Sequence, residues 1–338
     1  MLTLTRIQLA PEVWDRIEAS PDATIDRVWL QFILDTQTVS PVAAEVRDGG
    51  SVVGHFVGMT FSRFGVRILG SPFPGWTTDY MGFALAPGVP RWEALHALPP
   101  FAFGELGCLY LEVRDRHLTM EDGRRAGLAW ESTSSFETDL GESEERLFAG
   151  MDGACRRCIR KAAKSGVSVE EARDDELFAA EYYAQLTDVF AKQGLSPSYG
   201  VDRVGALLRR LGPTGRLLRL RARGPDGVCV ATGIYPRIAD RAYFWGNASF
   251  RDGQHLRPNE ALHWHAMRHW KTAGARLFDW GGGGAYKAKY GCRPIVVPRF
   301  YKERLPFLRS LRQQAGALFR RRQRLRGTPR AAAATGRS

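Results

Sequence analysis

Short apolar runs and stretches of helical period follow one another along this chain, separated by turn signals. Residues 11–17 and 25–34 read as helices, and 42–47 and 51–61 as strands joined into a hairpin by Asp48-Gly49-Gly50. A short strand follows at 66–69, and Ser71-Pro72-Phe73-Pro74-Gly75 breaks the pattern as a loop. Residues 108–113 and 128–140 read as strands around the polar loop 115–123. The logic then repeats. A charged helical stretch spans 143–165, a strand 167–171, and helices 174–193 and 202–211. Strands 215–223 and 228–235 flank the turn Gly224-Pro225-Asp226-Gly227, and 241–247 reads as another strand. Residues 258–273 form a helix with Pro258 at its first position, Glu260 near its start and Gly274 at its end. Strands at 275–280 and 295–302 close the pattern.

The two halves share a signature. Asp48-Gly49-Gly50-Ser51-Val52-Val53-Gly54 resembles Asp226-Gly227-Val228-Cys229-Val230-Ala231-Thr232-Gly233, each a hairpin turn, a valine-rich strand and a glycine. Together with 338 residues, this predicts a duplicated α/β domain.

Charge changes the picture once it is located. Ten Lys/Arg and one acid lie between Lys302 and Arg330, so most of the net +12 sits in the tail and the body is nearly neutral. Such a tail suits nucleic acid, anionic lipid or an acidic partner, or is a solubilising end. Leu308, Leu311, Ala315, Leu318 and Phe319 fall on one helical face among arginines. This basic amphipathic helix either lies on an anionic membrane or docks on the protein. No apolar run approaches the ~20 residues of a spanning helix, and nothing at the start reads as a signal peptide. Five scattered cysteines fit free thiols in a reducing cytoplasm.

Two segments carry candidate chemistry. Asp279-Trp280-Gly281-Gly282-Gly283-Gly284-Ala285-Tyr286-Lys287 begins where an apolar strand ends. Glycines let a backbone approach a ligand closely, and a lysine just beyond can face a developing negative charge. A strand-to-helix turn with a solvated lysine is the plainer alternative. In the other segment, Arg156, Arg160 and Lys164 share an i, i+4 stripe, with Arg157 and Lys161 adjoining. Like charges at that spacing repel. Either a phosphate-like ligand faces the stripe, or it is a solvated face balanced by Glu142, Glu144 and Glu145.

The pattern Arg-x-x-x-Arg-Lys-Ala-x-Lys-x-Gly-Val from Arg156, then Asp-Trp-Gly-Gly from Asp279 and Tyr-Lys-x-x-Tyr-Gly from Tyr286, resembles the Fem-type and BioF2-like branch of the GNAT acyltransferases. The Ser71-Pro72 and Gly75-Trp76 loop with Tyr80-Met81-Gly82 is similar to the first-domain loop of BioF2-like members. The resemblance covers about residues 25 to 303. It implies an α/β chain of two tandem GNAT-like domains, each a mixed sheet flanked by helices, at 1–150 and 151–303, with a basic helical tail at 304–338. The implied activity is N-acyl transfer from acyl-CoA or another activated ester to an amine on a cell-wall or polysaccharide precursor. Aminoacyl-tRNA-dependent peptidyl transfer and an inactive polyanion-binding scaffold are the alternatives. A lipid-linked amine substrate, tRNA and an anionic membrane are the implied partners, in the cytoplasm or peripheral to the inner membrane face.

Carried over, the family's aromatic-lysine pair falls on Tyr286 and Lys287, with Lys287 at the reacting ester. Arg156, Arg160, Gly282, Gly283, Tyr286 and Tyr290 are the expected substrate contacts. An attacking amine must lose a proton. Asp279 and Glu260 are the nearby acids, although Asp279 could instead anchor the loop and Glu260 a helix terminus.

Other motifs are set aside. Cys155-x-x-Cys158 lacks a second ligand pair, and His265 and His269 lack the zincin glutamate, so no metal is expected. Arg124-Arg125-Ala126-Gly127-Leu128-Ala129 matches a pyrophosphate loop, but leads into a strand rather than a helix N-terminus.

Overall fold

A computed structural model describes residues 1–306 of the chain. The first half runs β1 (Thr3–Ile7), α1 (Pro11–Glu18), α2 (Arg27–Thr36), β2 (Ser40–Asp48), β3 (Ser51–Arg63), β4 (Val66–Ser71), β5 (Gly82–Leu85), α3 (Arg91–Pro100), β6 (Tyr110–Val113), α4 (Met120–Ala126) and β7 (Ala129–Asp139). Helices α5 (Glu144–Gly150) and α6 (Gly153–Lys164) lead on. The second half is β8 (Ser168–Glu171), α7 (Asp175–Ala191), α8 (Val201–Leu211), β9 (Leu217–Arg223), β10 (Cys229–Ile238), β11 (Arg241–Tyr243), β12 (Gly246–Ser249), α9 (Pro258–Thr272), β13 (Leu277–Gly282), a 3-10 turn at Ala285–Tyr290 and β14 (Arg293–Glu303).

The order is the same twice. In each half two helices precede an antiparallel hairpin, β2–β3 or β9–β10. A parallel pair follows, β4 with β6 or β11 with β13. In each half a helix, α3 or α9, connects that pair. This is the α/β architecture the repeated hairpin signature predicts.

The halves are joined by an exchange. β7, which ends the first half, pairs antiparallel with β13 of the second. β14, which ends the second, pairs with β6 of the first and with β7. One sheet therefore runs β1-β2-β3-β4-β6-β14-β7-β13-β11-β10-β9-β8, with β5 and β12 on β3 and β10. The boundary expected near residue 150 falls between α5 and α6, but strands from both sides of it interleave. Helices join across the seam as well. Trp29, Phe32 and Ile33 of α2 share a buried cluster with Leu207, Leu208 and Leu211 of α8, and Arg210 pairs with Asp35.

Several details depart from the sequence reading. The single stretch at 143–165 is two helices, because Asp152 turns its N–H to the Lys289 carbonyl at 2.9 Å. Strand 241–247 is kinked at Phe244-Trp245 into β11 and β12. The polar loop 115–123 contains the start of α4, capped reciprocally by Thr119 and Asp122. The Arg124–Ala129 motif lies across the end of α4, so it offers no helix N-terminus for a pyrophosphate. Of the tail expected at 304–338, residues 307–338 and the proposed amphipathic helix lie outside the described residues.

Candidate active site

Two antiparallel strands, β14 and β7, lie between β6 and β13. The C-terminal ends of β6 and β13 therefore point toward each other across the exchange. In the second half β11 and β13 are paired only at 241–243 and 277–279. Past that point Phe244 N–H still bonds the Asp279 carbonyl at 2.8 Å, but Trp245 N–H turns to Ile234 O at 3.1 Å. The strands part, leaving residues 282–286 of the glycine loop exposed beside the half-buried Phe244–Asn247.

The matching gap in the first half is filled by its own chain. Between β4 and β5 runs the loop 72–81, with Trp76 and Tyr80 buried in it. Asp115, fully buried, accepts N–H bonds from Phe83 and His117, both at 2.8 Å. A Cβ on Gly82 would meet its carboxylate at 2.5 Å. The loop then reaches over the second half. Trp245 Nε1 donates to Thr77 O at 3.2 Å, and Arg203 donates to Gly75 O at 2.7 Å. Asp79 lies beside Gly281, its side chain still 35% exposed.

Lys287 is buried and spends its ammonium on the loop. Nζ donates to the carbonyls of Trp280, Gly281 (3.4 Å) and Gly282 (3.0 Å). Burial lowers its pKa, against the raising effect of Asp79 and Asp279. This geometry makes it the anchor of a loop in which Gly281, Gly283 and Gly284 all take positive φ. Asp279, fully buried, accepts Gly281 N–H at 2.8 Å through Oδ1. Its Oδ2 has no hydrogen-bond partner and lies 3.7 Å from Arg116. Burial first, and then the negative charge of Asp79, push its pKa up to about 6.

The remaining predicted residues divide. Tyr286, Gly282 and Gly283 are all exposed at the loop. Tyr290 is buried and stacked on Trp280, with ring centroids 4.6 Å apart. Glu260 is ion-paired with Lys289 at 2.7 Å. Arg156 turns back to donate to the carbonyls of Ala149 and Met151, closing the end of α5. Arg160 lies 5.2 Å over the Phe148 ring. The structure thus gathers Asp279, Lys287, Tyr286 and the glycines in one place. Glu260, Arg156 and Arg160 have partners of their own outside it.

Sequence reasoning missed the first half's contribution. Arg114, buried at the end of β6, lies 3.8 Å from Asp79 with Nε and Nη2 unbonded. Behind Asp279, the buried Glu137 is ion-paired with Arg116 and with the exposed Arg293. The signal was the run Glu112-Val113-Arg114-Asp115-Arg116, charges packed against the end of an apolar strand. A separate cleft of about 370 Å³, lined by Glu18, Asp26, Arg216, Arg237, His269 and Trp270 among others, contains none of the predicted site residues.

His263 on α9 is enclosed by Tyr235, Phe244, Trp280 and Tyr290, and Nδ1 meets Tyr235 OH at 3.0 Å. Burial first, then Lys289 and Lys287, bring its pKa down to about 3. An unfolded histidine takes a proton near 6.5, so this group lowers stability as pH falls from 6.5 toward 3. Asp279 and Asp115, both raised to about 6 mainly by burial, act oppositely. Their unfolded carboxyls ionise near 3.8, so they lower stability as pH rises from 4 to 6. His117, lowered to about 4, sides with His263. The slopes of these groups oppose between pH 4 and 6. Relative to the wild type, His263→Phe should lose unfolding free energy as pH rises across that window, by up to about 1.4 kcal/mol per pH unit. A parallel profile in the two proteins would contradict the assignment.

Residues 152–290 match the family model described as an acetyltransferase (GNAT) domain. No curated protein matches the chain in sequence. Among solved structures, FemX superposes with a TM-score of 0.72 at 12% identity, covering 91% of this chain and 99% of FemX. The C-terminal domain of a putative lysylphosphatidylglycerol synthetase from Agrobacterium fabrum gives 0.56 at 12%, covering 91% and 96%. A tandem GNAT protein from the clavulanic acid biosynthesis pathway gives 0.51 at 13%, covering 90% and 99%. At such identities the likeness is one of fold. Residues 152–290 are thus similar to a GNAT acetyltransferase domain, and the chain as a whole shares the fold of FemX.

Proposed function

We propose that the chain is an N-acyltransferase whose site lies where β11 and β13 part and Asp79 of loop 72–81 meets the glycine loop. The acyl donor is an activated thioester such as acyl-CoA, and the acceptor is an amine on a cell-wall or polysaccharide precursor. The observation that carries this is the asymmetry of the two halves. The second half's strands part beside an exposed glycine loop, while the first half fills its own gap and sends Asp79 across. In the reaction the amine nitrogen bonds the thioester carbonyl, the C–S bond breaks, and the thiolate leaves. The ammonium proton must go to a base. Asp79 is the partly exposed carboxylate there, and burial raises its pKa against Arg114, Lys287 and Arg299. Asp279 holds the glycine loop behind it, and Lys287 fixes that loop's shape. The similarity of fold to FemX and to lysylphosphatidylglycerol synthetase domains supports transfer to an amine or a lipid-linked acceptor.

The test is thiol release from a panel of acyl-CoA thioesters with simple amines and amino sugars. Amine-dependent release that drops by roughly 10²-fold or more in Asp79→Asn supports the reading. Absence of release from every thioester, with transfer from aminoacyl-tRNA, would replace the donor class.

A further inference from the structure

One edge of the sheet gathers features that the candidate site does not use. β3 and β4 meet in a hairpin whose tip is Arg63-Phe64-Gly65, with Arg63 opposite Val66 and Ser62 opposite Arg67. The Arg67 carbonyl accepts Leu109 N–H at 2.8 Å, which places the start of β6 beside it. Glu303, at the end of β14, is opposite Tyr110, and Arg304 N–H bonds Leu109 O at 2.9 Å. Strands lie ~4.8 Å apart, so the tip and the end of β14 stand roughly 10–15 Å from each other.

Phe64 is 78% exposed and sits at φ 52, a strained place for an aromatic residue. The Arg63 guanidinium lies 5.6 Å over its ring. Leu305 is exposed on the same edge. Neither Arg63 nor Arg67 has a carboxylate partner among the described residues, whereas most arginines around the candidate site are paired. The chain leaves the described residues after Pro306, and 307–338 contain nine arginines and no acid.

We propose that this edge docks on an anionic lipid surface, with Phe64 inserted among the headgroups and Arg63 and Arg67 on the lipid phosphates. A lone exposed aromatic is ordinary. One at a projecting tip, between unpaired arginines and beside the root of an all-basic segment, matches an interface that is apolar below and anionic above. A second copy of the chain would bring the same positive charge and be repelled. A nucleic acid is a poorer fit, because stacking platforms use successive aromatics and this edge exposes one. The inference does not rest on the acyl-transfer reading, and its test needs no turnover.

The full-length protein is sedimented with vesicles of phosphatidylcholine, alone or mixed two to one with phosphatidylglycerol, at low and moderate salt. Binding should require phosphatidylglycerol and weaken with salt. Phe64→Ser should bind about tenfold more weakly or worse, with the residual binding lost at moderate salt. Arg63→Gln/Arg67→Gln should bind more weakly with a shallower salt response. Both variants should keep the wild-type unfolding midpoint, since these side chains project from the sheet edge. Wild-type affinity in Phe64→Ser and in the double variant would remove the hairpin from the interface. Equal binding to neutral vesicles, or no binding to either, would overturn the proposal. So would tRNA binding that both sets of substitutions weaken while vesicle binding stays unchanged.

Discussion

Lys287→Met is expected to cut turnover in the thiol-release assay by about 10²-fold or more and to lower stability at the same time. The ammonium is buried and bonded to three consecutive carbonyls, those of Trp280, Gly281 and Gly282. Methionine fills similar space but donates nothing, so three buried acceptors lose a charged partner, at about 1–3 kcal/mol for such a loss. The loop has three glycines at positive φ, and besides Lys287 it is held by Asp279 on the Gly281 N–H and by the Ser134 carbonyl on the Gly283 N–H. A shift of about 1 Å in a positioning element can cost 10²-fold in rate. The two readouts separate two roles. A fall in both marks an anchor. A fall in turnover at wild-type stability would mean that Lys287 leaves the carbonyls to meet the reacting ester.

Glu137→Ala should destabilise the protein by about 3–5 kcal/mol, measured as a shift in urea midpoint at constant slope. Glu137 is 1% exposed in β7 and is held by Arg116 from the first half and Arg293 from β14. The Arg293 side chain is 67% exposed, so its share is screened and small. Arg116 is 11% exposed and would keep only Asp279 at 3.7 Å, so its poorly compensated charge dominates the loss. An Arg116→Met/Glu137→Met double variant should therefore recover much of the stability, because replacing a buried pair costs far less than breaking it. A double variant no better than Glu137→Ala would show that packing around the carboxylate, not charge, is what matters there.

The repeated hairpin signature was legible because Asp-Gly turns and valine-rich strands are local, and it led to the right architecture. The glycine loop and Lys287 were legible for the same reason. Arg156 was read as a ligand contact from its repulsive spacing, which ignores the free carbonyls at the end of α5 that it closes. Asp79 carried no local pattern, and Arg114 only the charged run at the end of β6. They matter because antiparallel strands from two distant segments bring the ends of β6 and β13 face to face, and no periodicity encodes that. The kink at Phe244-Trp245 was read through as continuous strand, since both residues suit a sheet.

The exchange of β7 and β14 also sets a schedule for synthesis. A chain growing at ~5–20 residues per second exposes β6 long before β14 is made, an interval of ~10–40 s. For that time the edge of β6 awaiting β14 is open to pairing with any other strand nearby. Folding of the first half cannot finish until the last strand leaves the ribosome, so a nonsense mutation even at residue 292 would leave both halves incomplete.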